Sequence, residues 1–253
     1  MYARLLSPFY HVPGNKKGQV GAPGAAAAEP WGVRASMHHE AARALGLIEE
    51  LNFVLLRPAL MYGDYTVTGI TPRLLIAELY KFLGEKLEFL WAEGLAQATV
   101  HVRDAAVAAV KAVEWAAKTP KDERLRLAGE ELPTTLTSNE LIKGVEGAAK
   151  KEDKMETVVF NLVDDGGTTQ ADIAKAVGEA VGVEAGFHGT IISSFAKLNM
   201  GDVLEDVNDK HLEGWSELLT ASDPPISTVL PISPHIVSHP PRPSIDLPSA
   251  SIR

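Results

Sequence analysis

Cysteine is absent from the sequence, and long apolar runs are absent as well. Without cysteine the chain can form neither disulfide bonds nor thiolate metal sites. No apolar run approaches the roughly 20 residues needed to span a bilayer. Pro8 and Pro13 interrupt the short apolar patch near the start before a signal-peptide core could form. These absences predict a soluble cytoplasmic protein with no membrane partner.

The charge balance is unfavourable for a nucleic-acid partner. The 253 residues include 24 Lys and Arg against 33 Asp and Glu, which gives a formal net charge of −9. Binding to a polyanion needs clustered cations that release counterions. We therefore expect no nucleic-acid partner. The hydrophobic content of 45% is ample for a packed core.

The first third of the chain alternates between helix and strand signals. Most of the stretch over 1–30 is rich in Gly, Ala and Pro, and the whole stretch is predicted as loop or disorder. Apolar side chains at three- and four-residue spacings predict a helix over 31–50. The run NFVLL over 52–56 does not alternate, which predicts a strand buried on both faces of a parallel sheet. A helical pattern over 71–84 ends at Gly84.

The middle of the chain continues this alternation and then becomes polar. ATVHV over 98–102 predicts a short strand, and the Ala-rich stretch over 103–118 predicts a helix. Residues 119–155 hold most of a stretch that is rich in charge and poor in apolar side chains. They are predicted as a surface insertion with one short helix near 138–149.

The last third begins with a strand, a turn and a helix. VVFNLV over 158–163 has strand composition. Thr169 and Asp172 resemble a capping box at the start of the next helix, and Gly182 supplies its stop. Helical pieces are predicted over 194–219. The final 30 residues contain eight of the sixteen prolines and are predicted as an extended tail.

Alternating strands and helices of this kind predict an α/β fold with a parallel sheet. Ligands bind such sheets outside the carboxyl ends of the strands. Arg57 and Pro58 follow one predicted strand, and the segment from His101 to Asp104 follows another. We therefore expect the two segments to face one crevice.

Three stretches resemble a known family in order and spacing. They are Asn52-Phe-Val-Leu-Leu-Arg-Pro-Ala-Leu-Met-Tyr-Gly63, Val100-His-Val-Arg-Asp104 before an Ala-rich helix, and Phe160-Asn-Leu-Val163 before a capped helix. Together they are similar to the second half of extended short-chain dehydrogenases/reductases, the NAD-dependent epimerase/dehydratase-like proteins. The resemblance covers about residues 30–220. It implies an oxidoreductase with a Rossmann domain and a smaller substrate domain.

The resemblance also implies roles for particular residues. Backbone atoms of Pro58 and Ala59 would contact the cofactor, NAD or NADP. The implied substrate is a nucleotide sugar, and its pocket would be bordered by Leu60, Tyr62, His101 and Arg103. An alternative for Arg103 is a solvated side chain or one paired with Asp104.

With this family in view, the fold class is an incomplete Rossmann-like parallel sheet joined to a small α/β domain. The predicted divisions of the chain are loop or disorder over 1–30, a partial Rossmann-like domain over 31–118, a charged insertion over 119–155, a substrate-type domain over 156–220 and a proline-rich tail over 221–253.

Two motifs of the family are missing. The glycine-rich turn that cradles a pyrophosphate has one formal match, from Gly18 to Gly24, but no hydrophobic strand precedes it and Pro23 lies inside it. The Tyr-x-x-x-Lys pair is also missing, because none of the five tyrosines is followed by lysine four residues later. Trp31 and Ala35 occupy the expected slots.

A shift of the register by three residues places Arg34 and His38 in the catalytic slots. His38 can titrate near neutral pH, so an acid/base set centred on His38 and Glu40 is one hypothesis. The other is that His38 is an ordinary surface or half-buried side chain. We expect no metal site, because adjacent Asp164 and Asp165 in a Gly-rich turn are typical of a turn and helix cap.

Two explanations fit the missing motifs and the missing early strands. The chain is either a truncated product of an epimerase-like gene with impaired catalysis, or a shortened, non-catalytic interaction protein. An exposed edge of a half sheet favours association, so a homodimer is expected under either explanation.

Overall fold

The computed structural model describes residues 2–5, 10–11, 29–30, 32–90, 92–189 and 200–226. Most of the predicted N-terminal loop, the Gly18–Gly24 match, Trp31 and nearly all of the proline-rich tail lie outside these residues. Within them the fold is α/β with a largely parallel sheet, as the sequence predicts.

The helices are α1 (Gly32–Gly46), α2 (Thr71–Leu83), α3 (Val102–Lys118), α4 (Lys121–Ala128), α5 (Leu136–Leu141), α6 (Gln170–Val181) and α7 (Met200–Ala221). The strands are β1 (Tyr2–Leu5), β2 (Tyr10–His11), β3 (Glu29–Pro30), β4 (Phe53–Pro58), β5 (Leu60–Tyr62), β6 (Leu87–Phe89), β7 (Thr99–His101), β8 (Gly129–Glu131), β9 (Glu156–Leu162) and β10 (Ala185–Phe187).

The chain divides into two compact units, each built from separate stretches of sequence. Among the described residues, the first unit contains those up to Leu60 and Ala98–Asp165. The second contains Met61–Gln97 and the described residues from Gly166 onward. The division into five segments predicted from the sequence stays a prediction.

The main sheet of the first unit has the strand order β1-β4-β9-β8. β1, β4 and β9 are parallel, and all six residues of β4 are buried. Successive side chains of a strand point to opposite faces, so β4 contributes to two cores. On one face Phe53 and Leu55 pack with Ala42 of α1. On the other, Val54 and Leu56 pack with side chains of α3.

β1 differs from the sequence prediction of loop or disorder over 1–30. Its four residues pair in parallel with β4, from Tyr2 opposite Phe53 to Leu5 opposite Leu56. So short a strand carries little periodicity of its own. It forms because β4, distant in sequence, offers backbone donors and acceptors that would otherwise be unpaired.

The charged segment over 119–155 also differs from its prediction as a surface insertion. It contains α4, β8 and α5, and β8 pairs antiparallel with β9 at the end of the sheet. The short helix is Leu136–Leu141 rather than 138–149. Leu132 and Met155 are buried in the core shared with α1. These few apolar side chains join the charge-rich segment to the core of the first unit.

The second unit contains α2, α6, α7 and the parallel pair β6 and β10. The predicted helix ends are confirmed. Gly84 and Gly182 follow α2 and α6 with φ of 67° and 78°, values that glycine adopts without steric cost. Thr169 and Asp172 form the predicted capping box of α6. None of the helices within the described ranges is long and apolar enough to cross a membrane.

Candidate functional site

The carboxyl end of β4 is the first component of the candidate site. Arg57 lies inside the unit, only 5% exposed, and its Nη1 donates to Glu130 Oε1 of β8 at 2.6 Å. A charge-assisted bond of this kind fixes the end of β4 against the edge of the sheet.

The backbone donors that follow Arg57 are already used inside the first unit. Pro58 has no N–H, the Ala59 N–H donates to Leu162 O at 2.9 Å, and the Leu60 N–H donates to Ala98 O at 3.1 Å. The side chains of Pro58 and Ala59 are buried. No backbone N–H of Pro58, Ala59 or Leu60 therefore remains for the cofactor contacts implied by the resemblance.

Asp164 joins the end of β9 to β7. Its Oδ2 accepts from Thr99 Oγ1 at 3.0 Å, its Oδ1 accepts from the His101 N–H at 3.2 Å, and its own N–H donates to Thr99 O at 2.7 Å. Sequence reasoning assigned this residue only to a turn. The available signal was an aspartate directly after a strand, together with a Thr-x-His sequence at the end of another strand.

His101 begins α3. Its Nδ1 accepts from the Arg103 N–H at 3.3 Å, which places the ring proton of the neutral form on Nε2. Arg103 and Asp104 are exposed in the first turn of α3, and the negative charge of Asp104 is favourable at a helix N-terminus. His101 and Arg103 thus lie at the end of β7. The strand is held there by two bonds: Ala98 O, just before β7, accepts from the Leu60 N–H, and the His101 N–H donates to Asp164.

The other predicted catalytic residues, Arg34 and His38, lie on the outer side of α1. Arg34 is exposed and His38 is half-buried, whereas Ala35 is buried. Both Arg34 and His38 have interactions of their own within the structure. Because an α-helix turns by about 100° per residue, these two side chains lie on a different face of α1 from Arg43.

The inward face of α1 carries a buried polar network. Arg43 Nη1 donates to Glu40 Oε2 at 2.8 Å, and both side chains are at most 4% exposed. Arg43 also donates to the carbonyl oxygens of Leu132, Lys150 and Asp153, each at 3.0 Å. A buried charge is tolerated when its donors are satisfied in this way. The network fastens the segment over 132–153 to α1.

His39 belongs to the same face. Its Nε2 lies 2.7 Å from Pro133 O, and the ring is fully buried. Burial lowers the pKa of His39, because the charged ring would lose its hydration; the hydrogen bond to Pro133 opposes this shift but does not cancel it. The ring is therefore neutral near pH 7 and donates its Nε2 proton to the carbonyl.

Tyr62 lies in the second unit, at the start of a tight loop, and is 37% exposed. In that loop Tyr65 has φ of 65°, an uncommon value for a residue with a side chain, and is fully exposed. Thr66 Oγ1 donates to Gly63 O at 2.8 Å. An exposed, constrained loop of this kind is typical of ligand-binding segments.

In the part of the chain that the structure describes, no group of three or more His, Asp or Glu side chains is arranged to hold a metal ion.

The fold and the strand-end site define the chain as a mixed α/β protein with a parallel sheet. No protein-family model matches it, and no curated protein matches it in sequence. Among solved structures it is similar to UDP-glucose 4-epimerase from Thermus thermophilus in complex with NAD, at 14% identity and a TM-score of 0.43 over 74% of this chain and 50% of that chain.

Two further solved structures are similar. One is a GalE-like L-threonine dehydrogenase from Cupriavidus necator, at 17% identity and a TM-score of 0.41 over 77% of this chain and 53% of that chain. The other is dTDP-glucose 4,6-dehydratase from Bacillus anthracis in complex with NAD, at 14% identity and a TM-score of 0.38 over 74% and 49%. The chain spans about half the length of these proteins.

Proposed function

We propose that this chain derives from an NAD(P)-dependent epimerase/dehydratase-like oxidoreductase and that, with the present sequence, it does not catalyse hydride transfer. The observation that carries the proposal is which side chains of α1 are buried and what they bind. At the positions that the resemblance assigns to the catalytic pair, Ala35 is buried, and the inward polar side chains of the helix are engaged in holding the segment over 132–153.

The missing proton donor is the chemical reason for impairment. Hydride transfer to or from a hydroxyl-bearing carbon requires a group that exchanges the hydroxyl proton. The tyrosine of the family does so because a lysine one turn away favours its ionised form. No tyrosine of this sequence has such a lysine, so bound substrate would lack its acid/base partner.

The alternative acid/base set centred on His38 and Glu40 receives little support from the contacts of Glu40. One carboxylate oxygen of Glu40 accepts from buried Arg43, which favours a structural role for this residue. If the set were catalytic, any turnover of the purified chain would be lost in His38→Ala. We expect no turnover in either protein.

We expect weak binding of NAD or NADP because the residues at the end of β4 have no backbone N–H group left for a ligand. Ala59 and Leu60 donate their N–H groups within the unit and Pro58 has none, so this stretch offers no backbone donor to a pyrophosphate. Titration of the chain with NADH and NADPH, followed by nicotinamide fluorescence, is expected to show no saturable binding below about 1 mM. Saturation in the micromolar range would contradict this part of the proposal.

The ligand class we propose is a nucleotide sugar, contacted by Leu60, His101 and Arg103 of the first unit. The exposed guanidinium of Arg103 would pair with the diphosphate, for which its planar donors are suited. The proposal rests on the motifs shared with the family. Calorimetric titration with UDP-glucose tests it: Arg103→Ala is expected to abolish weak binding, and Lys111→Ala, an exposed cation on the same helix, is expected to leave it unchanged.

A non-catalytic interaction protein is the second candidate. The feature that favours it is the combination of an intact strand-end scaffold with the absent catalytic pair. The charged segment over 119–155 and the proline-rich tail over 221–253 would supply contact regions. One form of this candidate is a protein that binds to itself. Light scattering after size exclusion at several concentrations tests for such self-association, and a strictly monomeric, folded species would count against it.

A further inference from the structure

β10 of the second unit has one side unpaired among the described residues. It pairs in parallel with β6, with Ala185 opposite Leu87 and Phe187 opposite Phe89. The Leu87 N–H donates to Glu184 O, and the His188 N–H donates to Phe89 O, both at 2.9 Å. Alternate residues of a strand bond to the same neighbour. Ala185 and Phe187 therefore direct their N–H and C=O groups away from β6.

A groove of about 570 Å³ runs beside this strand. Small residues of α6 form one wall, and Ala185 faces them, because a Cβ added to Gly178 would lie 3.0 Å from the Ala185 Cβ. The groove also touches Gly186 and Lys86. Gly186 points to the opposite face of the strand, where a Cβ would meet Lys86 Cε at 2.6 Å. Contact with both faces of β10 places the groove around its outer edge.

We propose that a second copy of this chain pairs with this edge, antiparallel and centred on Gly186. In that register Ala185 of one copy lies opposite Phe187 of the other, and the outward N–H and C=O groups of these residues form four hydrogen bonds across the two-fold axis. The two Gly186 residues form the non-hydrogen-bonded pair, in which the Cα atoms approach to about 4.5 Å. The absence of a side chain at this closest approach suits the pairing.

Charge complementarity favours a second copy over another extended segment. The same register places Glu184 opposite His188 of the other copy. Within one copy, Glu184 Oε1 lies 3.0 Å from Lys86 Nζ, and His188 Nδ1 lies 3.4 Å from Glu88 Oε2. Lys86 and Glu184 of one copy, followed by His188 and Glu88 of the other, thus form a row across the paired strands. Their charges alternate in sign whenever the histidine is protonated. Opposite charges on directly facing residues stabilise antiparallel pairs.

The proposed contact is isologous, so two copies close on each other and further addition at this edge is blocked. Each copy contributes only a three-residue strand and the rim of the groove. So small an interface belongs to the weak, transient class, and we expect a dissociation constant on the order of 100 µM. This inference does not depend on the proposed enzymatic descent of the chain.

Sedimentation equilibrium of the full chain, from about 10 µM to about 1 mM, is the direct test of a dimer in this affinity range. The expected result is a reversible rise in mass from monomer to dimer with no larger species. A monomeric mass throughout the range would overturn the proposal, as would open-ended assembly, because the two-fold contact closes.

Two charge variants test the register. His188→Glu should weaken the dimer by about tenfold, because it sets two pairs of carboxylates opposite each other. Glu184→Lys should weaken it by a similar factor when the histidine is protonated, because it then sets two pairs of cations opposite each other. An equimolar mixture of the two variants should recover near-native affinity. In the mixed dimer the introduced lysine of one copy faces the introduced glutamate of the other, and the native Glu184 and His188 that remain face each other. Glu217→Lys, the same charge change on an exposed position of α7, is the control and should have no effect.

Ala185→Pro tests the backbone contribution, because it removes an outward N–H while leaving the bonds to β6 in place. The dimer should be lost while the thermal unfolding midpoint at low concentration stays near that of the native chain. If this variant does not fold, the charge-variant mixture decides: failure of the mixture to recover affinity would overturn the antiparallel register.

Discussion

The carboxylate of Asp164 accepts a hydrogen bond from the backbone N–H of His101 at 3.2 Å, and so the end of β9 holds the start of α3 in place. The second carboxylate oxygen accepts from Thr99 Oγ1. Hydrogen bonds to a charged group contribute more to stability than neutral ones. Through these bonds Asp164 positions His101 and with it the start of α3, the helix that carries Arg103.

Substitution Asp164→Ala is expected to lower the free energy of unfolding by about 2 kcal/mol, since it leaves the Thr99 hydroxyl and the His101 N–H without their acceptor. The measurement is urea unfolding followed by circular dichroism. Asp165→Ala is the matched control, because its side chain is exposed; it should change stability by less than about 0.5 kcal/mol. Equal effects at the two positions would show that the hydrogen bonds of the Asp164 carboxylate do not contribute to stability.

Removal of one partner of the buried pair on α1 should be far more costly than removal of both. Arg43→Met leaves Glu40 as a buried unpaired charge and frees three carbonyl oxygens, so we expect a loss of about 3–5 kcal/mol. The double variant Glu40→Leu with Arg43→Met should be clearly less destabilised than the sum of the single variants. A double-mutant cycle by urea unfolding measures this coupling, and additivity would refute it.

The stability of the protein should fall on acidification partly because of His39. The pKa of His39 in the folded state lies below its ordinary value of 6.5, so the unfolded chain takes up a proton first. The stabilisation is complete above about pH 6.5 and declines as the pH falls below it, by at most about 1.4 kcal/mol per pH unit for one proton.

The comparison of native chain and His39→Gln isolates this effect. Glutamine keeps a donor for Pro133 O but does not titrate, so the difference in unfolding free energy between the two proteins should change between about pH 7.5 and about pH 5. A difference that stays constant over this range would exclude His39 as the source.

Two arginines of α4 test whether the charged segment is part of the core. Arg124 is buried, and it donates to Ala116 O and to Asn52 Oδ1, both at 2.9 Å. Arg124→Ala should therefore cost about 2–4 kcal/mol through lost hydrogen bonds and packing. Arg126, two residues away and 71% exposed, should tolerate alanine within about 0.5 kcal/mol. Similar melting temperatures for the two variants would support the surface insertion predicted from the sequence.

Local features of the chain could be predicted because their causes lie within a few residues. The ends of α2 and α6 depend on Gly84 and Gly182, whose left-handed conformations only glycine adopts freely. The capping box of α6 needs only Thr169 and Asp172, three residues apart. β4 was predictable because a continuous apolar run of this length is typical of a strand covered on both faces.

The candidate site could be predicted only in part. The sequence indicated that the residues after β4 and β7 would lie at neighbouring strand ends, and hydrogen bonds from Ala59 to Leu162 and from Asp164 to Thr99 join these ends. It did not indicate the role of Asp164, because an aspartate in a Gly-rich turn has the same local pattern whether or not it binds a distant strand.

The amino-acid sequence by itself determined α1, α2, α3 and α6, the longer strands, the acidic charge and the absence of a Tyr-x-x-x-Lys pair, since each depends on composition or on residues close together in the chain. Only the tertiary structure decided that Tyr2–Leu5 forms a strand, that β8 runs antiparallel beside β9, and that Arg43, Arg57 and Arg124 are buried. The physical reason is that a buried arginine or a short strand is stable only when its hydrogen-bond partners arrive from distant parts of the chain, at separations of 89 to 110 residues between Arg43 and its carbonyl acceptors.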